Sequence, residues 1–244
     1  MHGGDHQYDR LLLCAALEDA RQLDLESRPV LLSDCNPVDP ERWSPGALAE
    51  AFGETEVHTC SDRVAVSRNM SRFKGQTLSG QLSNSENKGY MFDSSFLTWA
   101  APELLSALHL PDFLQQQRGK FDLMIMGLGD EGTGAAFHRH DRSWCYCVSG
   151  LKLWALYPPN IADTQIPKGL KMVFSQTKQL QGESEVQEVV SMVDRMCQNA
   201  PEEGKPLRLV QHPGEILCLP PQWHHATINL APQTACVVYV RNKG

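Results

Sequence analysis

The residues best able to do chemistry are histidines. His138 and His140 stand one residue apart in FHRHD, and His224 and His225 lie far along the chain in QWHHATINL. Side chains in an extended strand alternate faces, so His138 and His140 share one face and Arg139 and Asp141 the other. Two imidazoles at that spacing can hold one transition-metal ion. Read as a strand, Trp223 to Leu230 puts His225, Thr227 and Asn229 on one face and His224 on the other. One of these two histidines completes a three-ligand site with coordination positions left open for small molecules.

A second group is set by a lysine in apolar company. Ser143 to Tyr157, SWCYCVSGLKLWALY, reads as a hairpin turning at Ser149-Gly150, because glycine tolerates the positive φ of tight turns. In that pairing Cys147 faces Lys152, and Ser143, Cys145, Cys147, Lys152 and Trp154 share a face. An ammonium between Leu151 and Leu153 on an interior face calls for an anion, since burying it alone is costly. The other use of such a lysine is to snorkel at a barrel mouth.

Taken with RPVLLSDC, ERW…LAEAFGETEVHT and YMFDSSF…LPDFL, the stretches FHRHDRSWCYCVSGLKLWALYPP and PGEILCLPPQWHHATINL resemble the JmjC domain family. These are cupin-fold oxygenases dependent on Fe(II) and 2-oxoglutarate, and the resemblance runs from about Arg28 onward. It implies a mainly β double-stranded β-helix (cupin or jelly-roll, JmjC type) with flanking helices. It matches His138 to the first iron ligand. It matches His225, five residues after Pro220, to the last, and Lys152 to the lysine that holds the far carboxylate of 2-oxoglutarate. Family members carry His-x-Asp or His-x-Glu, whereas the third position here is His140, with Asp141 one step on. Alternation favours His140. A β-bulge at Arg139 or His140 would bring Asp141 inward instead. The implied activity is oxidative decarboxylation of 2-oxoglutarate to succinate, coupled to hydroxylation or demethylation of a protein or peptide substrate. Two other classes fit the His-x-His pattern: a non-catalytic JmjC-fold binding or scaffold protein, and a three-histidine cupin dioxygenase that uses no 2-oxo acid.

The surrounding elements must bring these residues together. A tail and helix are expected over residues 1–27, then one domain over 28–244 with a helical insertion at about 160–205. Leu11 to Leu23 has helical spacing. Pro29–Leu32, Glu56–Cys60, Tyr90–Asp93, Phe121–Leu128 and Ile216–Leu219 read as strands. Ser44 caps a helix opened by Pro45 and followed by Gly53. Gly75 to Gly89 reads as a loop with room for one helical turn, and Pro102 to Leu108 as a short helix. Val186, Val189, Val190, Val193 and Met196 recur at helical spacing, a stripe for packing onto the barrel.

Net charge −7 and pI about 5.7 provide no basic field for nucleic acid. No apolar run is long enough for a membrane span, and Leu11 to Ala16 is too short for a signal core. A soluble cytoplasmic or nuclear protein is expected, and an endoplasmic-reticulum one only if a signal is removed ahead of this numbering. The eight cysteines form no zinc-ribbon pair and read as reduced, buried thiols. Asn69-Met70-Ser71 fits a glycosylation sequon.

Overall fold

A computed structural model describes residues 13–16, 24–35, 37–39, 41–60, 64–65, 73–83, 89–116, 122–175, 183–199 and 205–241. In chain order the elements are β1 (Leu13–Ala16), β2 (Val30–Ser33), α1 (Pro45–Phe52), β3 (Glu56–Cys60), β4 (Val64–Ala65), β5 (Phe73–Thr77), α2 (Leu78–Ser83) and β6 (Tyr90–Asp93). A π-helical turn over Phe96–Ala100 leads to α3 (Pro102–Ser106), α4 (Asp112–Gln115), β7 (Leu123–Gly129), β8 (Gly134–His138), β9 (Ser143–Ser149) and β10 (Lys152–Tyr157). The insertion holds α5 (Lys168–Ser175) and α6 (Glu183–Asn199), and β11 (Leu207–Gln211), β12 (Ile216–Leu219), β13 (His224–Asn229) and β14 (Thr234–Val240) close the fold.

The strands form two sheets, β1-β2-β12-β9-β14-β7-β6-β3-β5 and β11-β10-β13-β8-β4. The pairings are antiparallel apart from β1 with β2 and β4 with β8. This is the double-stranded β-helix of the cupin type.

Period-two alternation sorts the side chains into three layers. On β9, Trp144, Tyr146 and Val148 face the helices that cover the larger sheet, while Cys145 points between the sheets. On β10, Trp154 and Leu156 also point between the sheets, whereas Leu153, Ala155 and Tyr157 face α5 and α6. Val193 of α6 and Leu170 of α5 are buried there. Each such apolar side chain contributes roughly 1.5–3 kcal/mol, so the insertion is fastened to the outer face of the smaller sheet. Val189, Val190 and Met196 of its helical stripe pack against the same cluster.

The cap at Ser44 forms as expected: its Oγ accepts from the backbone N–H of Ala47 at 3.2 Å. Three expectations are corrected and one element is new. Leu13–Ala16 is a strand rather than part of a helix, drawn into parallel pairing with β2. The stretch read as a loop from Gly75 contains the end of β5 and all of α2. Phe96–Ala100, ahead of α3, is an unforeseen π-helical turn. Finally, β9 and β10 are not paired: β9 lies between β12 and β14, and β10 between β11 and β13. Gly150, at φ +75°, carries the chain from one sheet to the other. The rest of the expected 11–23 helix and the 69–71 sequon lie outside the described residues.

Candidate metal centre and adjoining pocket

His138 ends β8 and lies directly across from His225 on β13. Between this pair and the next, Ala135 with Thr227, the register slips, so β8 carries one residue more than β13. That bulge matters. Phe137 packs outward against Tyr157 and Phe174, and the extra residue lets both Ala135 and His138 face the pocket. His140 follows two residues beyond the end of the strand and lines the same pocket.

The three rings converge. Their centroids are 5.5 Å apart for His138 and His140, 4.1 Å for His138 and His225, and 4.6 Å for His140 and His225. One ligand atom from each lies within 4.8 Å of the others. Each Nδ1 is engaged with a backbone carbonyl: Ala136 at 2.7 Å, Asp141 at 2.6 Å and Trp223 at 2.9 Å. A carbonyl only accepts, so Nδ1 carries the proton and Nε2 keeps its lone pair for a metal. Burial and the adjacent His140 pull His138 down to about 4. Burial also lowers His140, and burial with the two neighbouring rings lowers His225 strongly. All three are therefore neutral near pH 7, which is the ligating form. This donor set fits a divalent transition metal.

Asp141 is turned to its own chain, where its Oδ1 accepts from the backbone N–H of Arg142 at 2.8 Å. His224 is on the opposite face of β13, against Ile161, with its pKa lowered by burial.

The rings line a pocket of about 420 Å³, open mouth included, between the two sheets. Its inner end is built around Lys152. This side chain is 1% exposed, and its Nζ donates to Asn229 Oδ1 at 2.7 Å and to Tyr90 Oη at 3.4 Å. Both hydrogen-bond partners are neutral, which gives the buried ammonium the character of an anion site. Asn229 is held in turn, its Nδ2 donating to Thr133 Oγ1 at 3.0 Å. Gly127 and Gly129 on β7 leave the space that Tyr90 occupies. A Cβ at Gly129 would lie 2.7 Å from the Tyr90 ring and 2.3 Å from Thr133 Oγ1.

Sequence reasoning placed Asn229 on the face of His225 but gave it no part in the site, and it assigned nothing to Tyr90 beyond its strand. Tyr90 stands in no motif with Lys152. Only the pairing of β6 with β7 brings them together.

Fold and site together define a cupin-like protein with a three-histidine cluster beside a buried lysine. The cupin-like domain family profile matches residues 20–240, and the chain belongs to that family, in its JmjC type. It is 28% identical over 233 residues to lysine-specific demethylase JMJ21 of Arabidopsis thaliana, covering 88% of this chain and 23% of that protein. It is 26% identical over 142 residues to JmjC domain-containing protein 8 of Mus musculus, covering 58% and 45%. It is 27% identical over 112 residues to 2-oxoglutarate and iron-dependent oxygenase JMJD4 of Danio rerio, covering 45% and 24%. The chain thus spans less than half the length of each of these relatives. No helix among the described residues is long and apolar enough to cross a membrane.

Proposed function

We propose that this chain is an Fe(II)- and 2-oxoglutarate-dependent oxygenase that hydroxylates a protein or peptide side chain. The reading is carried by one observation: a buried ammonium with neutral hydrogen-bond partners closes the pocket into which three neutral imidazoles point. His138, His140 and His225 would hold the iron. Lys152, with Tyr90 beside it, would take the far carboxylate of 2-oxoglutarate by a charge-assisted hydrogen bond. When bound, iron and 2-oxoglutarate together supply oxidation of a substrate C–H bond at the cost of decarboxylating the co-substrate. The chain's own part is placement. The carbonyls of Ala136, Asp141 and Trp223 fix the imidazole tautomers, Asn229 orients the ammonium, and Trp154, Leu219 and Val238 line the pocket with apolar surface that excludes water. A protein substrate accords with the likeness to a lysine-specific demethylase.

A second reading rests on Asp141. With its carboxylate turned to Arg142 N, the cluster has only neutral donors, which suit zinc, copper or nickel as well as iron. The fold would then serve as a binding protein rather than a catalyst. Metal analysis of the purified chain, with 2-oxoglutarate turnover measured by succinate release, separates the two. Iron-dependent succinate supports the oxygenase. A tightly held zinc with no turnover supports the binding protein.

A further inference from the structure

One nucleophile in the pocket has no part in the proposed chemistry. Cys236, on β14, is buried and lines the pocket together with Cys145, Tyr90 and Lys152. It pairs across the sheet with Gly127 of β7. A Cβ at Gly127 would lie 2.6 Å from Cys236 Sγ and 2.9 Å from Tyr90 Oη, so the glycine is what lets sulfur and phenol approach. They stand 3.9 Å apart, and the same Tyr90 oxygen accepts from Lys152 Nζ at 3.4 Å. Thiol and ammonium are therefore no farther from each other than these two contacts laid end to end. Lys152 points to a ligand independently of the sulfur. It is 1% exposed, and the neutral oxygens of Asn229 and Tyr90 take two of the three N–H groups that an ammonium offers.

Three other thiols are differently placed. Cys147 Sγ is engaged with the carbonyls of Ser149 and Gly150, at 3.6 and 3.8 Å, and burial pushes it up to about 12. Burial raises Cys35 to about 12 and Cys197 to about 11. Cys236 is shifted the other way. Hydrogen bonding from Cys145 and the charge of Lys152 hold its thiol below the ordinary range, against the effect of burial. This favours the thiolate, which is the nucleophile.

We infer that Cys236 is a modification site for small electrophiles that carry a carboxylate, with Lys152 holding the carboxylate while the sulfur attacks. The dimensions suit a short acid. A carboxylate oxygen sits about 2.8 Å from an ammonium nitrogen, and a carbon under attack about 3–3.5 Å from its nucleophile. One or two bonds join the two in an α-halo acid or an α,β-unsaturated acid. With the first, a sulfur–carbon bond forms, the carbon–halogen bond breaks and halide leaves with its electron pair. With the second, sulfur bonds to the β-carbon, the π pair moves to the α-carbon, and a proton from solvent is taken up there. In both, the proton of the thiol has already passed to solvent. The adduct leaves its carboxylate on Lys152, in the place proposed for that of 2-oxoglutarate, so the modified chain loses its co-substrate.

The inference shares with the proposed function the reading of Lys152 as a carboxylate site, but it needs neither iron nor turnover. The full, metal-free chain is treated briefly with iodoacetate or with iodoacetamide. It is then denatured, its remaining thiols are blocked with N-ethylmaleimide, and each cysteine is mapped by mass spectrometry. A net charge of −7 repels the anionic reagent in general, so a local preference for it is informative. At Cys236 the ratio of iodoacetate to iodoacetamide rates should exceed that of free glutathione by about tenfold or more. In Lys152→Met it should fall to the glutathione value. An unlabelled Cys236, a ratio no higher than that of glutathione, preferential labelling of Cys145, or a preference that survives Lys152→Met would overturn the inference. If Lys152→Met does not fold, the wild-type ratio decides. A chain that binds 2-oxoglutarate through Lys152 but labels Cys236 without preference sinks this inference alone. One that shows the preference but releases no iron-dependent succinate upholds it and sinks the oxygenase.

Discussion

Replacing Lys152 with methionine tests the pocket most directly, because it removes the ammonium and keeps a long apolar stem. In the ligand-free protein two effects oppose each other. The change takes out a buried charge whose hydrogen-bond partners are neutral, which relieves a desolvation cost of several kcal/mol. It also leaves Asn229 Oδ1 without its 2.7 Å donor, at about 1–3 kcal/mol. The unfolding midpoint should therefore move little. The co-substrate meets no such cancellation. Losing a charge-assisted contact to its far carboxylate costs about 1.5–3 kcal/mol, or roughly 13- to 160-fold in affinity at about 1.36 kcal/mol per tenfold. Calorimetric titration of 2-oxoglutarate into the metal-loaded, oxygen-free protein reads this out. Pyruvate, which lacks the far carboxylate, is the control and should bind the wild type and Lys152→Met alike. If the two proteins bind 2-oxoglutarate within twofold of each other, Lys152 is only a structural partner of Asn229 and Tyr90, and the co-substrate assignment fails.

His140→Ala should weaken metal binding about 100-fold or more, since a ligand contributes several kcal/mol of a total near 10–16 in structural zinc sites, while Asp141→Ala should retain the metal. The reverse pattern in metal analysis would make Asp141 the ligand. The metal-free protein should lose stability as pH falls from about 6.5 toward about 4, because the unfolded chain takes up protons that the depressed His138 refuses. Above about 6.5 this contribution is complete, and denaturant midpoints at pH 7.5 and 5 should differ less in His138→Gln. Gly129→Ala should cost about 1–3 kcal/mol in urea unfolding and weaken 2-oxoglutarate binding, because the new Cβ collides with the Tyr90 ring and with Thr133.

The faces of the barrel strands were legible in the sequence, but their partners were not. Alternation alone put Cys145, Lys152 and Trp154 on one interior face, as found. It could not tell a hairpin from a step between sheets, because Gly150 permits either turn and the faces come out the same. Edge strands were harder still. FKGQT of β5 has a glycine and two long polar residues, usual for an edge that must not recruit another chain, and from Gly75 on it reads as a loop. Leu13–Ala16 lies in a run of helical spacing, and its strand state depends on β2, a tertiary partner that local spacing does not reveal. The histidines shared a face for a reason only partly foreseen. The irregularity lies upstream of His138, between Ala135 and His138, rather than at Arg139 or His140. The anion end was half legible: Lys152 stood out as a charge in an apolar run, but Tyr90 reaches it only through the β6–β7 pairing.

The charges of the site lead to a last expectation. The three imidazoles are neutral near pH 7, and Asp141, the nearest candidate carboxylate in the sequence, faces Arg142 N. A divalent metal and the Lys152 ammonium would then share one pocket with no protein carboxylate among the metal ligands. Two cationic centres in a cavity of low dielectric repel each other, and a dianion spanning them relieves that repulsion at both ends. Metal and 2-oxoglutarate should therefore bind with positive coupling, and by linkage each must raise the other's affinity by the same factor. Coupling between two ligands is typically about 1–3 kcal/mol, or roughly 5- to 150-fold. The metal dissociation constant, measured by competition with a chromogenic chelator, should fall by at least about fivefold when 2-oxoglutarate saturates the protein. Pyruvate should give a smaller gain, and in Lys152→Met the advantage of 2-oxoglutarate over pyruvate should vanish. A metal affinity indifferent to 2-oxoglutarate would mean that the two ligands do not meet in this pocket, and that the histidine cluster serves a metal with no 2-oxo acid beside it.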